Sequence, residues 1–322
     1  MKANYPVAYM TAIMTNESGD IEKIAEIVSE CKRMNIHVLP PDINKSEGGF
    51  TIVKKDKAIL DDKFSISNSQ FSNAENKDIS KNEHDEAIRF GLYTIKNLGV
   101  DISDAVIQER KAGGEYSSFE NFIRRVTHKN LNKKSLEALT MCGALDALGE
   151  RGEILANMES ILSFHKSVVK DNVLQDNLFA GMETSSFVMK KAPPVTQEQK
   201  LLWEKDLLGL FVSGFPLDRW KEKIIARGID IEKVNHDTPD GKEVSIAALI
   251  ERMKVMTTKK GDPMALVTLR DYRGTIEVAV FPETYKRYKP LLVPDAPLVI
   301  RGKVQTRNGE RTIVVDEVKV LE

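Results

Sequence analysis

The sequence predicts a multidomain protein, mainly α-helical up to about residue 243 and all-β beyond it. Three observations carry that expectation. Apolar residues recur at spacings of three and four in most segments before residue 243. After it they alternate in short runs separated by Gly, Asn and Asp turn signals. Between them, residues 88–149 hold two segments that each turn sharply at a glycine. With 322 residues the chain is long enough for two or three domains. Its 41% hydrophobic and 30% charged content describe a soluble globular protein. The net charge is only −1, so any affinity for a polyanion must come from local patches. Cys31 and Cys142 are far apart with no CxxC, and the five histidines are scattered, which argues against zinc and for a reducing, cytoplasmic home. No apolar run approaches the roughly 18 residues of a membrane span, and no leader peptide is evident, so no membrane partner is expected.

Residues 1–54 read as helical with two short strands. A short apolar segment follows Pro6 and runs to Met14. Ile21, Ile24, Ala25, Ile27, Val28, Cys31 and Met34 then mark an amphipathic helix that Asn35 closes. A strand at 36–39 ends at Pro40-Pro41, and Gly48-Gly49 precedes a second at 50–53. Cys31 is expected as a small core residue and His37 as a structural histidine. Residues 55–86 change to Lys, Asp, Ser and Asn and read as a polar surface insertion, with a hairpin around Asp61-Asp62. Its aspartates lack a metal-ligand spacing.

Residues 87–170 carry the paired turns. The first unit runs Ile88-Arg89-Phe90-Gly91-Leu92-Tyr93-Thr94-Ile95-Lys96-Asn97-Leu98-Gly99, followed by a helix to about Lys111. The second runs from Leu131 through Lys133, Lys134, Leu136 and Leu139 to Gly143-Ala144-Leu145. A short helix, a tight glycine turn and a second helix make a helix–hairpin–helix. That geometry aims backbone N–H groups at one point and suits phosphate better than base edges. Lys96, Asn97 and Gly99 in the first unit, and Lys133, Lys134 and Gly143 in the second, are the candidate contacts. An ordinary helical hairpin with glycine C-caps is the alternative for either unit alone. Two in tandem favour duplex binding, although Asn97 and Cys142 stand where a first glycine is expected. Between the units, Gly113-Gly114 turns the chain and Ser117-x-x-Glu120 predicts a capping box ahead of Phe119, Phe122 and Val126. Asn132 is expected to cap the next helix. Ile154, Leu155, Met158, Ile161, Leu162, His165 and Val169 predict one long helix over 151–170.

Residues 171–196 read as a linker. Within it, Gln175, Leu178 and Phe179 form a short peptide signal, in which an amide fixes the backbone and two apolar side chains fill a pocket on a partner. Residues 197–243 form a helical connector, with periodic runs at 198–210 and 218–227 separated by Phe211-Val212-Ser213-Gly214-Phe215-Pro216-Leu217. Asp230-Ile231-Glu232 reads as helix capping, not as paired metal carboxylates.

Residues 244–322 alternate at 244–256, 265–270, 275–281, 298–304 and 312–320. Turn signals stand at Lys260-Gly261-Asp262-Pro263, Tyr272-Arg273-Gly274 and Asn308-Gly309, and a helical piece occupies 282–292. Five strands with a helix between the third and fourth match an OB-fold, another small Greek-key barrel being the alternative. This stretch holds fourteen Lys and Arg against ten Asp and Glu, so positive charge concentrates here. Arg252, Lys254, Lys259, Lys260, Arg270 and Arg273 cluster in the first strands and first loop, the part such barrels use for oligonucleotides. Tyr272 and Phe281 are candidate stacking residues; the plainer reading is a solvated surface with Phe281 in the core. No Asp-x-Asp strand pair for two Mg²⁺ ions, glycine-rich phosphate loop, nucleophile elbow or HExxH is found, so no catalytic residue and no metal site are expected here.

Taken together these residues resemble the C-terminal half of the alpha-subunit family of bacterial DNA polymerase III, the C-family replicative polymerases. The resemblance rests on residues 1–14 and on Cys31-x-x-Met34-x-Ile36-x-Val38-Leu39-Pro40-Pro41-Asp42-Ile43-Asn44, which are similar to the end of the fingers domain. It also rests on both hairpin units and on Glu204-Lys205-Asp206-Leu207-Leu208-Gly209-Leu210-Phe211-Val212-Ser213-Gly214-Phe215-Pro216-Leu217-Asp218, where a histidine is more usual than Phe215. Residues 55–86 are not covered by it. The resemblance implies template-directed DNA synthesis with Mg²⁺ in a palm domain that is not among these residues, so the segment alone is expected to be inactive and without a cofactor. It further implies double-stranded DNA on the hairpins and single-stranded template DNA on the barrel. Gln175, Leu178 and Phe179 would hold a sliding clamp, and other replicase subunits would be partners. A segment of an error-prone C-family polymerase, a free-standing DNA-binding adaptor, and an RNA or tRNA-anticodon role for the barrel are the alternatives.

Overall fold

Pro6 opens helix α1 (Pro6–Asn16), which turns Val7, Met10, Thr11 and Met14 to the interior. The computed structural model describes residues 2, 4–54, 85–175, 187–228, 230–307 and 309–321. These divide into two units, Met1–Gly214 and Phe215–Glu322. The expected 197–243 connector therefore splits after Gly214, its first part packing with the hairpins and its second with the barrel.

In the first unit, α2 (Ile21–Arg33) adds Ile24, Val28 and Cys31 to the same core. Asn35 takes a left-handed φ of 57° and releases the chain into β1 (His37–Leu39). With β2 (Thr51–Lys54) and β3 (Glu86–Arg89) it forms a sheet in the order β1-β3-β2, parallel between β1 and β3 and antiparallel between β2 and β3. The hairpin expected around Asp61-Asp62 lies outside the described residues.

β3 corrects the expected start of the first hairpin. Ala87, Ile88, Arg89 and Phe90 are all buried, a continuous run that suits a central strand paired on both sides, and only a 3₁₀ turn, Leu92–Thr94, follows. Gly91 makes that junction feasible. A Cβ there would stand 2.3 Å from the Gly48 carbonyl oxygen and from the Gly49 backbone. The Leu92 and Tyr93 N–H groups donate to the Glu47 and Gly48 carbonyls at 2.9 Å each, which draws the two chains together.

Helices α3 (Val100–Gly113), α4 (Phe119–Arg125) and α5 (Lys133–Met141) follow. The cap of α4 lies one residue later than expected. Ser118 accepts from the Asn121 N–H at 3.1 Å, while the Glu120 side chain is engaged by Arg124 at 2.8 Å. Asn132 caps α5 in a reciprocal pair with Ser135, as its position suggested. The single helix expected over 151–170 is two, α6 (Arg151–Ala156) and α7 (Met158–Gln175), broken at Asn157. The Asn157 side chain donates to the Lys190 carbonyl at 2.8 Å and accepts from the Lys190 N–H at 2.9 Å. Phe187 also stacks on Phe164 with ring centroids 5.0 Å apart. Residues 187–190 are thus fastened along the α6–α7 junction instead of hanging as a linker. Helix α8 (Gln197–Leu208) completes the unit.

Cys31 and Cys142 sit fully inside, Cys31 as expected of a small core residue, and burial pushes both thiols up to about 12. His165 is buried with Nε2 3.0 Å from the Val126 carbonyl, and burial lowers its pKa.

The second unit begins with a 3₁₀ turn, Asp218–Trp220, then α9 (Lys221–Arg227) and α10 (Ile231–His236), the latter capped by Asp230 as the sequence suggested. Five strands follow: β4 (Glu243–Thr257), β5 (Pro263–Arg270), β6 (Thr275–Val280), β7 (Pro297–Arg307) and β8 (Glu310–Val320). They close a barrel in the order β4-β5-β6-β8-β7, with β7 returning to β4. Helix α11 (Pro282–Tyr288) lies between β6 and β7. Strand alternation sends Val244, Ile246, Ala248 and Ile250 inward until a bulge between Ile250 and Arg252. This is the expected OB-fold.

The contact at Gly91 yields a direct expectation. Gly91→Ala forces a methyl into the Gly48–Gly49 backbone and lowers the stability of the helical unit by about 2–3 kcal/mol, measured by urea unfolding.

Candidate nucleic-acid interface

The first hairpin turn is exposed and rigidly held. Asn97 has φ 70°, taking the left-handed conformation that a glycine would adopt without strain. Gly99 is the extended N-cap of α3, and no side chain caps that helix. The Lys96 backbone N–H donates to the Leu207 carbonyl at 3.0 Å and its ammonium pairs with Asp206 at 3.0 Å. Lys96, Asn97, Gly99 and Val100 thus form one exposed surface fastened to α8.

The second hairpin differs from expectation. Lys133 and Lys134 are exposed at the start of α5, with Lys133 only loosely paired to Glu137 at 3.8 Å. Gly143, at φ 86°, is buried: a Cβ there would stand 2.3 Å from the Arg151 guanidinium. Gly143 therefore serves the turn itself and is not at the surface. The chain then makes turns through Asp146, Leu148 and Gly149, and helix resumes only at Arg151.

Arg151 and Glu204 are the residues that sequence reasoning missed. They are 3% and 1% exposed and lie 3.1 Å apart. Arg151 also donates to both Asp146 carboxylate oxygens and, at 2.9 Å, to the Met141 carbonyl. The other Glu204 oxygen accepts the Val212 and Ser213 N–H groups at 3.1 and 2.8 Å. A charge in step with Leu201, Leu207 and Leu208, which are buried, was the available signal.

In the barrel, the six candidate cations divide by position. Arg252 and Lys254 lie on the outer face of β4, opposite Thr268 and Leu266 of β5. Lys259 and Lys260 stand in the β4–β5 loop, and a groove of about 610 Å³ brings them together with Phe281, with Asp262, Glu283 and Asp316 also on its walls. Phe281 is 44% exposed, so it is not a core residue. Arg252, Lys254, Lys259 and Lys260 form no ion pair among the described residues.

Arg270, Tyr272 and Arg273 sit toward the opposite end of β5 and are engaged internally. Arg270 pairs with Glu251. Arg273 pairs with Asp230 at 3.4 Å and Glu232 at 3.0 Å. The Tyr272 hydroxyl donates to Asp218 at 2.9 Å, its ring lies against Phe215 and Lys221, and burial pushes its pKa upward. Asp271 accepts the Ile231, Arg273 and Gly274 N–H groups at 2.7, 2.7 and 2.9 Å. These turn residues bind the chain's own α9–α10 segment to the barrel, with the Tyr272 ring half-buried against Phe215 and Lys221. Gln175 is the last residue of α7, while Leu178 and Phe179 lie outside the described residues. Among the described residues no helix is long and apolar enough to cross a membrane.

The fold defines an assembly of two nucleic-acid-binding modules. Residues 35–154 match the helix-hairpin-helix motif family, and residues 244–321 match the OB-fold nucleic acid binding domain family. Along its whole length the chain is similar to proteins named DNA polymerase III subunit alpha. That of Deinococcus radiodurans is 30% identical over 335 positions, covering 100% of this chain and 23% of that protein. Those of Thermus aquaticus and Borreliella burgdorferi are 30% and 31% identical, covering 100% of this chain and 24% and 26% of theirs. The chain is similar throughout to these alpha subunits and spans about a quarter of their length.

The buried pair gives a second expectation. Arg151→Ala leaves the Glu204 carboxylate buried without its cation and lowers the stability of the helical unit by about 3–5 kcal/mol, whereas Glu204→Gln, which leaves Arg151 its Asp146 partner, costs less. Calorimetry should show the corresponding drop in the first unit's transition.

Proposed function

We propose that this chain is the C-terminal DNA-holding and clamp-tethering part of a bacterial replicative DNA polymerase III alpha subunit, serving DNA replication in the cytoplasm alongside other replicase subunits. The observation that carries this reading is similarity over the entire chain to alpha subunits from distant bacteria. The order of the two nucleic-acid modules supports it.

In this reading the hairpin unit holds double-stranded DNA by its phosphates. Lys96, Lys133 and Lys134 supply charge, while Asn97 and Gly99 allow close approach of the backbone. The barrel takes the single-stranded template along Arg252 and Lys254 toward Lys259 and Lys260, with Phe281 as the stacking surface. Gln175, Leu178 and Phe179 tether the chain to the sliding clamp. Nucleotide addition and its Mg²⁺ belong to the palm of the longer protein. Among the described residues there is no group of three or more His, Cys, Asp or Glu that could hold a metal ion.

Two measurements test the reading. Lys259→Glu with Lys260→Glu weakens binding of an oligothymidylate and flattens the slope of log K against log salt by about 1.4; a slope identical to the unaltered chain counts against a single-strand site. Leu178→Ala with Phe179→Ala abolishes capture by a sliding clamp in a pull-down while leaving duplex affinity unchanged. Undiminished capture removes the tether from the account.

A further inference from the structure

The outer face of β4, β7 and β8 carries a groove of about 460 Å³, on a different part of the barrel wall from Arg252 and Lys254. Strand register builds it. Arg301 stands across from Ser245 on one side and Glu317 on the other, and Lys319 stands across from Val299. Val299, Val320 and Leu321 supply an aliphatic surface, with Val320 50% exposed although it ends a strand of an otherwise well-filled barrel. Arg227, at the last position of α9, completes the lining, is exposed, and forms no ion pair among the described residues. Arg301 pairs with Glu243, and Lys319 with Glu317 at 2.9 Å, both at the surface where such pairs exchange readily for others.

Among the described residues that line the groove, Arg227, Arg301 and Lys319 stand against Glu317, with Glu243 reaching Arg301 from outside the lining, so a net positive charge around an aliphatic surface defines what fits. No aromatic side chain lines the groove, so it lacks the base-stacking surface that a single strand of nucleic acid uses. A peptide that offers aliphatic side chains to Val299, Val320 and Leu321 and carboxylates to Arg227, Arg301 and Lys319 complements it in both shape of polarity and sign of charge. We propose that this groove is a docking site for an acidic, aliphatic peptide segment of a partner protein, separate from the nucleic-acid face of the same barrel.

The test uses the full chain and a fluorescein-labelled peptide of about ten residues in which a leucine pair is flanked on both sides by aspartates. Anisotropy should show binding that weakens with salt. Binding should be lost when the aspartates are replaced by asparagines, and equally when the leucines are replaced by serines. Arg227→Glu with Lys319→Glu, both exposed positions, should weaken the peptide by at least about tenfold while oligothymidylate binding and the far-ultraviolet circular dichroism stay unchanged. Absence of peptide binding at low salt overturns the proposal, as does an unchanged affinity in the double variant. Displacement of the peptide by oligothymidylate, together with its loss in Lys259→Glu/Lys260→Glu, also overturns it by placing the peptide on the nucleic-acid face. None of these outcomes touches the single-strand reading itself, which rests on its own variants.

Discussion

A guanidinium and a carboxylate removed from water set the geometry of the helical unit. Taking two charges out of solvent costs several kcal/mol for each, and the pair persists only when every remaining donor and acceptor is satisfied. Arg151 meets that condition by spending its other donors on Asp146 and on the Met141 carbonyl at the end of α5. Glu204 meets it by accepting the Val212 and Ser213 N–H groups just beyond α8. Three element ends thus converge on one ion pair. The guanidinium also fills the space beside Gly143 that a side chain would need, so the second hairpin turn and the pair depend on each other. The first hairpin turn is fastened to the same helix through Lys96 and Leu207. Both turns are therefore referenced to α8, which gives the exposed lysines fixed places relative to one another.

The barrel follows a different logic, in which surface charge is sorted by position along the strands. At the β5–β6 turn, Asp271, Tyr272 and Arg273 are taken up by Asp218, Phe215, Asp230, Glu232 and Ile231. At the β4–β5 loop, Lys259, Lys260 and Phe281 remain open around a groove. The groove walls also carry Asp262, Glu283 and Asp316. Mixed charge of this kind limits how much of a strand's affinity comes from the loop and gives the lysines of the loop and the outer strand cations a shared task.

Much of this was legible in the sequence because local rules and burial agree there. The alternation in residues 244–320 and its turn signals gave the strands of the barrel and its helix to within a few residues. Asn35, Asn132 and Asp230 were read correctly as helix punctuation because their side chains or backbone act within three residues. What failed depended on contacts distant in sequence. The Ala87–Phe90 run became a strand because β1 and β2 flank it on both sides. The helix over 151–170 broke because Lys190 engages Asn157. At the candidate site, Lys96, Lys133, Lys134, Lys259 and Lys260 are as exposed as a contact requires. Tyr272 and Arg273 are engaged by neighbouring residues of the same unit, which charge and aromaticity in the sequence do not show. Gly143 is buried beside a guanidinium, and a left-handed turn glycine looks the same in sequence whether it faces solvent or the interior.

Hydrogen–deuterium exchange on the full chain, with and without oligothymidylate, tests the central claim most directly, because it reads the rigid frame and the strand-binding face in one experiment. The account predicts slow exchange at the Val212 and Ser213 amides whether or not the oligonucleotide is present, and new protection on its addition at residues 258–262 and 281–284 but not at 271–274. Rapid exchange at Val212 and Ser213, or protection that appears at 271–274 instead, would contradict it.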